Sequence, residues 1–213
     1  MRAPHLLPPN SHQRGPLALV VTLLMLPMAP WPAAPLPRPV AVATARPAQA
    51  VVSGRFGITP ERRALLNTIR YAEGTWIGGS EEGYRVLFGG ERFGDLSRHP
   101  DMVVRRRYAS AAAGAYQFLP TTWNRAAADL GLRDFRPASQ DQAALHLVHA
   151  RGALQRFDRQ GLTAEVLARL APEWASLPTL EGVSHYGQPV KDRNELQRFY
   201  QRELERQRSL TSA

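Results

Sequence analysis

What most limits the fold of this chain is a compositional break near residue 50. Eleven of its 18 prolines fall in the first 50 positions, and no Asp or Glu occurs before Glu61. A stretch so rich in proline supports neither long helices nor paired strands, so a core must come from later residues. Within it, residues 17–28 (LALVVTLLMLPM) form an apolar run preceded by Arg2 and Arg14. The run is too short and too proline-interrupted for a comfortable membrane span. A charged start, a short apolar run and later small residues read as a secretory signal, with Ala43-Thr44-Ala45 or Ala48-Gln49-Ala50 as cleavage motifs. An uncleaved anchor with a Pro/Ala linker is one alternative, and a misassigned start codon is another. The expectation is an export segment over 1–50 and a folded domain over 51–213. That domain does not span a membrane and works in the periplasm, in the cell envelope or outside the cell.

Cysteine is absent from all 213 residues, and 44% of them are apolar. That is enough for a core, while disulfides, thiolate zinc sites and a cysteine nucleophile are excluded. The formal charge is +9, but residues 53–213 hold 23 basic and 18 acidic side chains, a net of only +5. Such a charge suits an anionic partner, nucleic acid or cell-wall polymer, without choosing between them.

Beyond Phe56 the pattern is that of a globular domain. Thr59-Pro60-Glu61 opens a helix with an N-cap, a proline at N1 and an acid in the first turn. Leu65, Leu66, Ile69 and Ala72 continue it as an apolar stripe, and Gly74 ends it. Residues 75–115 look different: Gly78, Gly79, Gly83, Gly89, Gly90 and Gly94 lie among alternating Tyr84, Val86 and Phe88, which predicts a small twisted hairpin with long loops. Helices are then predicted from Thr121 or Thr122 to Gly131, from a Ser139–Gln142 capping box through Ala150, from Thr163 to Pro172, and from Asp192 to Arg208. The fold class is α+β: mostly helical, with a small β-rich lobe inserted after the first helix.

Glu73 is the residue placed for chemistry. It lies seven positions after Leu66 and four after Ile69, so it extends the buried face of its helix. It also sits at the negative end of the helix dipole. Both surroundings disfavour the charged carboxylate and raise its pKa, which suits a general acid. Spacing alone also allows a half-exposed glutamate with no role.

The strings around Glu73 narrow this. They are AEGT (72–75), GYRVLFGGERFGDLSRHP (83–100), AAGAYQ (112–117), LGLRDFRPASQDQAAL (130–145), RGAL (151–154), WASLP (174–178) and YGQ (186–188). In this order and spacing, the region 60–200 resembles the lambda-phage lysozyme family, glycoside hydrolase family 104. The resemblance implies a lysozyme-like fold and a peptidoglycan lytic transglycosylase that cleaves the bond between N-acetylmuramic acid and N-acetylglucosamine. It implies Glu73 as catalytic acid and base, and Gly114, Tyr116 and Gln117 of the Gly-x-Tyr-Gln motif as substrate contacts. Tyr186 and Gln188, in a loop resembling the lower lip of the cleft, join them. Two departures from the family pattern stand out. Position 115 is Ala where the motif carries Arg, and the loop 102–113 reads differently and carries Arg105, Arg106 and Arg107.

The expected partner is therefore the glycan strand of peptidoglycan rather than nucleic acid, met by a monomer with no metal and no cofactor. His146 and His149 lie three apart, as on an ordinary helix surface. Among possible second acids, Asp95 reads as a turn or loop cap and Asp141 as the first turn of a helix. Tyr116, Phe118 and Trp123 also fit as plain core aromatics. A hydrolysing muramidase and a non-catalytic wall-binding protein remain the competing functions. An intact Glu73 speaks against the second of these. The chain's own export segment implies either a cell's own wall enzyme or an endolysin that exports itself.

Overall fold

The structure is a computed structural model that describes residues 54–212; the expected export segment lies outside the described residues. Six helices and one two-stranded sheet make up these residues: α1 Pro60–Ala72, β1 Val104–Arg105, β2 Ala109–Ser110, α2 Pro120–Leu130, α3 Pro137–Ala150, α4 Leu154–Gln160, α5 Ala164–Leu170 and α6 Arg193–Thr211. A 3-10 turn, Glu81–Arg85, precedes the hairpin. The architecture is α+β and mostly helical, as the sequence predicts.

Helix α1 is built as expected. The Thr59 hydroxyl accepts the Arg62 amide at 3.3 Å, Pro60 opens the helix, and Leu65, Leu66 and Ile69 are almost wholly buried. Its main partner is α6, which runs antiparallel along it. Glu61 meets Arg208, Asn67 donates to Glu203 at 2.7 Å, and Tyr71 stacks on Phe199 at 4.2 Å between ring centroids. The Asp192 carboxylate caps α6 by accepting the Glu195 amide at 3.0 Å, and Thr163 caps α5.

Helix α3 runs through the centre of the molecule. Residues Ser139 through Leu145, with Val148, are buried around its full circumference. A helix buried on all sides must satisfy its polar side chains internally, and here they tie down the loops. Gln142 bonds both the amide and the carbonyl of Phe56, at 2.9 and 2.8 Å. Gln140 accepts the Ala115 amide at 2.8 Å and donates to the carbonyls of Tyr84 and Phe135. Asp141 receives the phenols of Tyr84 and Tyr116, at 2.8 and 2.5 Å, and Arg63 at 2.6 Å.

Several expectations change. The helix expected to open at Ser139 starts at Pro137, with Arg136 at the N-cap and no side-chain cap. Ser139 lies inside it and donates to Asp134 at 2.6 Å. Asp141 is thus a buried junction beyond the first turn. Helix α2 opens at Pro120 behind Leu119, so neither Thr121 nor Thr122 caps it. The short α4, which the periodicity does not predict, forms because Leu154 and Phe157 bury one face of two turns. Tyr84 lies in the 3-10 turn rather than in a strand, and the small hairpin forms further on, as the β1–β2 pair with Val104 opposite Ser110. Isolated bridges join Val86 to Arg92, Leu87 to Ala113, Ala113 to Phe118 and Pro178 to Ser184.

Candidate active site

The string Glu-Gly-Thr closes α1 with a Schellman motif. Glu73 is the C-cap residue, with its amide on the Ile69 carbonyl at 2.9 Å. Gly74 follows in the left-handed region at φ +73°, where a side chain would be strained. Its amide reaches the Tyr71 carbonyl, and the Thr75 amide reaches the Arg70 carbonyl at 2.9 Å. The buried Thr75 hydroxyl then donates to the Ala115 carbonyl at 2.5 Å. One hydrogen bond thereby joins the Glu73 turn to the Gly114–Gln117 segment.

The Glu73 side chain is half-buried. Its Oε1 accepts the hydroxyl of Ser176, which is 103 residues away, at 2.5 Å. Burial drives its pKa up to about 7, while the Ser176 hydroxyl and main chain pull the other way. Among the described carboxylates whose pKa is displaced, Glu73 alone moves upward; Glu61, Asp95, Glu181, Glu195 and Glu203 move down. The group therefore holds its proton closer to neutral pH than an ordinary glutamate, which suits it both to give and to take one.

The Gly-x-Tyr-Gln segment is tied to the Glu73 turn through Thr75. Gly114 is buried at φ +79°, and a Cβ there would lie 2.3 Å from Gln140 Oε1. Its amide donates to the Val86 carbonyl at 2.8 Å. Gly114 therefore forms the loop and does not offer a surface to substrate. Tyr116 requires a clear correction. Its ring is 1% exposed and its phenol bonds Asp141, so it is a core aromatic and not a sugar contact. Gln117 takes the unusual φ of +47°. Its Nε2 donates to the carbonyls of Val86 and Gly114 at 3.2 and 3.1 Å, which holds the strained turn. Among the described residues no hydrogen bond joins Gln117 to Glu73, and its Oε1 has no protein partner.

The 178–190 loop lies on the Ser176 side. The Ser184 hydroxyl donates to the Ala175 carbonyl at 3.3 Å, and the Tyr186 phenol donates to the Pro172 carbonyl at 2.7 Å. Tyr186 is anchored by its hydroxyl with 57% of its surface exposed, and the His185 ring meets it edge-on at 4.7 Å between centroids. Gln188 is exposed further along the loop.

Among the described residues no second acid shares a hydrogen bond with Glu73. Asp95 makes a turn with the amide and hydroxyl of Ser97, at 2.8 and 3.0 Å, the loop-cap role expected of it. Glu91 pairs with Arg106, and Asp141 is committed to Arg63 and two tyrosines. His99 is a satisfied core histidine between the Phe118 carbonyl and the Asp101 amide, and burial lowers its pKa. A separate cavity of about 880 Å³ on another flank of α1 is lined by Arg63, Asn67, Arg70 and Arg206, among others, and not by Glu73. Two of those arginines are already paired there, Arg63 with Asp141 and Arg206 with Glu203.

The model of the Endolysin family matches residues 63–206. The chain belongs to the Endolysin family. It is 40% identical over 126 residues to the endolysin of Escherichia phage lambda, covering 57% of this chain and 79% of that one. It is 36% identical over 129 residues to the endolysin of Escherichia phage P2, covering 54% and 78%. Among solved structures it is similar to bacteriophage lambda lysozyme complexed with a chitohexasaccharide. That match has a TM-score of 0.62 at 35% identity and covers 70% of this chain and 96% of that one. The resemblance read from the motifs and the lysozyme-like fold are thus both established. Thr75 and Ser176, to which the sequence reading gives no role, emerge as the residues that place Glu73. Their signal lay in the strings EGT and WASLP, whose matches carry no geometry by themselves.

Proposed function

We propose that this Endolysin-family chain, a muralytic enzyme, is a lytic transglycosylase that cuts the bond from N-acetylmuramic acid to N-acetylglucosamine without water. The observation that carries the reading is a single carboxyl group poised near neutrality with no partner acid. Glycosidases that use two carboxyl groups hold them about 5–9.5 Å apart, and of the candidate acids Glu91, Asp95 and Asp141 are engaged with other partners. Protonated Glu73 gives its proton to the glycosidic oxygen, and the C1–O bond breaks with its electron pair on the departing sugar. The Glu73 carboxylate then takes the proton of the 6-hydroxyl on the same muramic acid, and O6 bonds to C1. The product carries a 1,6-anhydro ring, the proton count balances, and no water is consumed. The 6-hydroxyl prevails over solvent because it is held beside C1 at a high effective concentration.

The chitohexasaccharide bound to lambda lysozyme supports glycan binding by this chain, with Gln117 Oε1 free to accept a sugar amide and Tyr186 to stack. The apolar run near the N-terminus supports export, which puts the enzyme in the periplasm, in the envelope or outside the cell. Mass analysis of products from purified peptidoglycan tests the reaction. Fragments lighter than lysozyme products by one water, with no new reducing ends, are expected. Reducing ends appearing in step with lysis would move the chain to the hydrolysing class. In the same assay, chitin oligosaccharides should bind without being cut.

A further inference from the structure

We infer that Ser176 is a positioning residue for the acid: its hydroxyl occupies Oε1 of Glu73, so the transferable proton is carried on Oε2. The inference rests on Glu73 being the acid and base proposed above.

The oxygens of a free carboxyl group are equivalent, and its proton settles on either. At 2.5 Å from Ser176 Oγ they no longer are. The serine is itself held from both sides along its main chain. Its carbonyl accepts the Lys191 amide at 3.0 Å, and the next residue, Leu177, is fully buried with its amide on the Trp174 carbonyl. The Trp174 indole donates to the Tyr116 carbonyl at 3.1 Å. That carbonyl is one residue from the Ala115 carbonyl that holds Thr75. Glu73 is therefore fixed twice against the same short segment, through its own turn and through Ser176. Lys191 is fixed in turn, its ammonium on Glu195 at 3.2 Å and over the Tyr71 ring.

The same bond serves both halves of the reaction. When Oε2 releases its proton to the glycosidic oxygen, the hydroxyl faces a full carboxylate and its hydrogen bond strengthens. When Oε2 takes the proton of the 6-hydroxyl, the bond weakens again. Ser176 never gives up its own proton. Removing it leaves the acid on its helix but frees the carboxyl to turn and favours its neutral form.

The test is a titration of Glu73 by carboxyl carbon NMR in the full chain, its signal assigned by loss in Glu73→Gln, together with kcat and KM against pH. In Ser176→Ala the Glu73 midpoint should rise by about one pH unit, the size of a lost bond to a charged group. The alkaline limb of kcat should rise with it. At neutral pH kcat should fall by about tenfold with KM unchanged, because orientation and not binding is lost. Ser176→Thr, which restores the hydroxyl, should recover the midpoint and most of kcat. If the alanine variant does not fold, Ser176→Cys keeps the volume with a weak donor and should show the same shift. A folded variant without the hydroxyl whose midpoint and limb match the parent would overturn the inference. The titration needs no substrate. An unmoved midpoint beside an inactive Glu73→Gln therefore removes Ser176 alone, whereas an active Glu73→Gln removes the acid and this inference together.

Discussion

A buried carboxyl group stabilises a reaction at the expense of the fold, and Glu73 should show both effects. Replacement by Gln keeps the shape and an oxygen for Ser176 while deleting the transferable proton. Wall-clearing activity should fall by about a hundredfold or more with an unchanged circular dichroism spectrum; retention of a third of the activity would refute the assignment. The stability effect has the opposite sign. Because the folded pKa is raised to about 7 above an unfolded value of about 4.3, the native state binds more protons than the unfolded chain between those pH values. Its stability is therefore lost as pH rises through that window. Glu73→Gln should be more stable than the parent at pH 8, by on the order of 2 kcal/mol, and no more stable at pH 4. Thermal melts at the two pH values measure this. Glu73 was legible from its spacing along the stripe of Leu66 and Ile69, since helical periodicity is local. Ser176 was not, because its contact spans 103 residues. The core position of Tyr116 was legible only as one of two readings, since a tyrosine suits a core and a cleft equally until Asp141 is seen beneath it.

Among the elements, the β1–β2 hairpin carries Arg105 at the end of β1 and Arg106 and Arg107 in its turn. Arg106 pairs with Glu91 and Arg107 lies 5.6 Å from the Tyr108 ring, while among the described residues no carboxylate pairs with Arg105 or Arg107. Exposed cations without partners attract a polyanion over roughly 8 Å at physiological salt. Binding to purified sacculi, and activity with it, should weaken as salt rises. Replacing all three arginines by Ser should flatten that dependence; an unchanged salt profile would return the turn to plain solvation. Element ends were legible where a side chain marks them, as Thr59, Thr163 and Asp192 do. The start of α3 was not, because a proline opens it and no side chain caps it. The small hairpin was legible from the glycine-rich insertion, but not its position, because buried Val86 and Leu87 serve single bridges and the ladder lies at Val104–Ser110.

At the scale of the molecule, the α+β class was legible from the order of periodic segments and the glycine-rich insertion. The way the parts are tied was not. It rests on three polar side chains of α3 that reach loops far away in the chain. One of these ties runs from Gln142 to both main-chain groups of Phe56, near the first of the described residues. A chain starting at Ser53 should therefore be soluble, folded and active; aggregation of that chain beside a soluble full-length one would place the boundary elsewhere. The antiparallel pairing of α1 with α6 also acts in time. The helix that ends in Glu73 is the first of the described helices to leave the ribosome, and its main partner is the last. A domain folds as a unit during synthesis, so a nascent chain carries its acid on an unsupported helix until residues near Arg208 have emerged. Helix α1 therefore gains its main packing partner only after Arg193–Thr211 has been made.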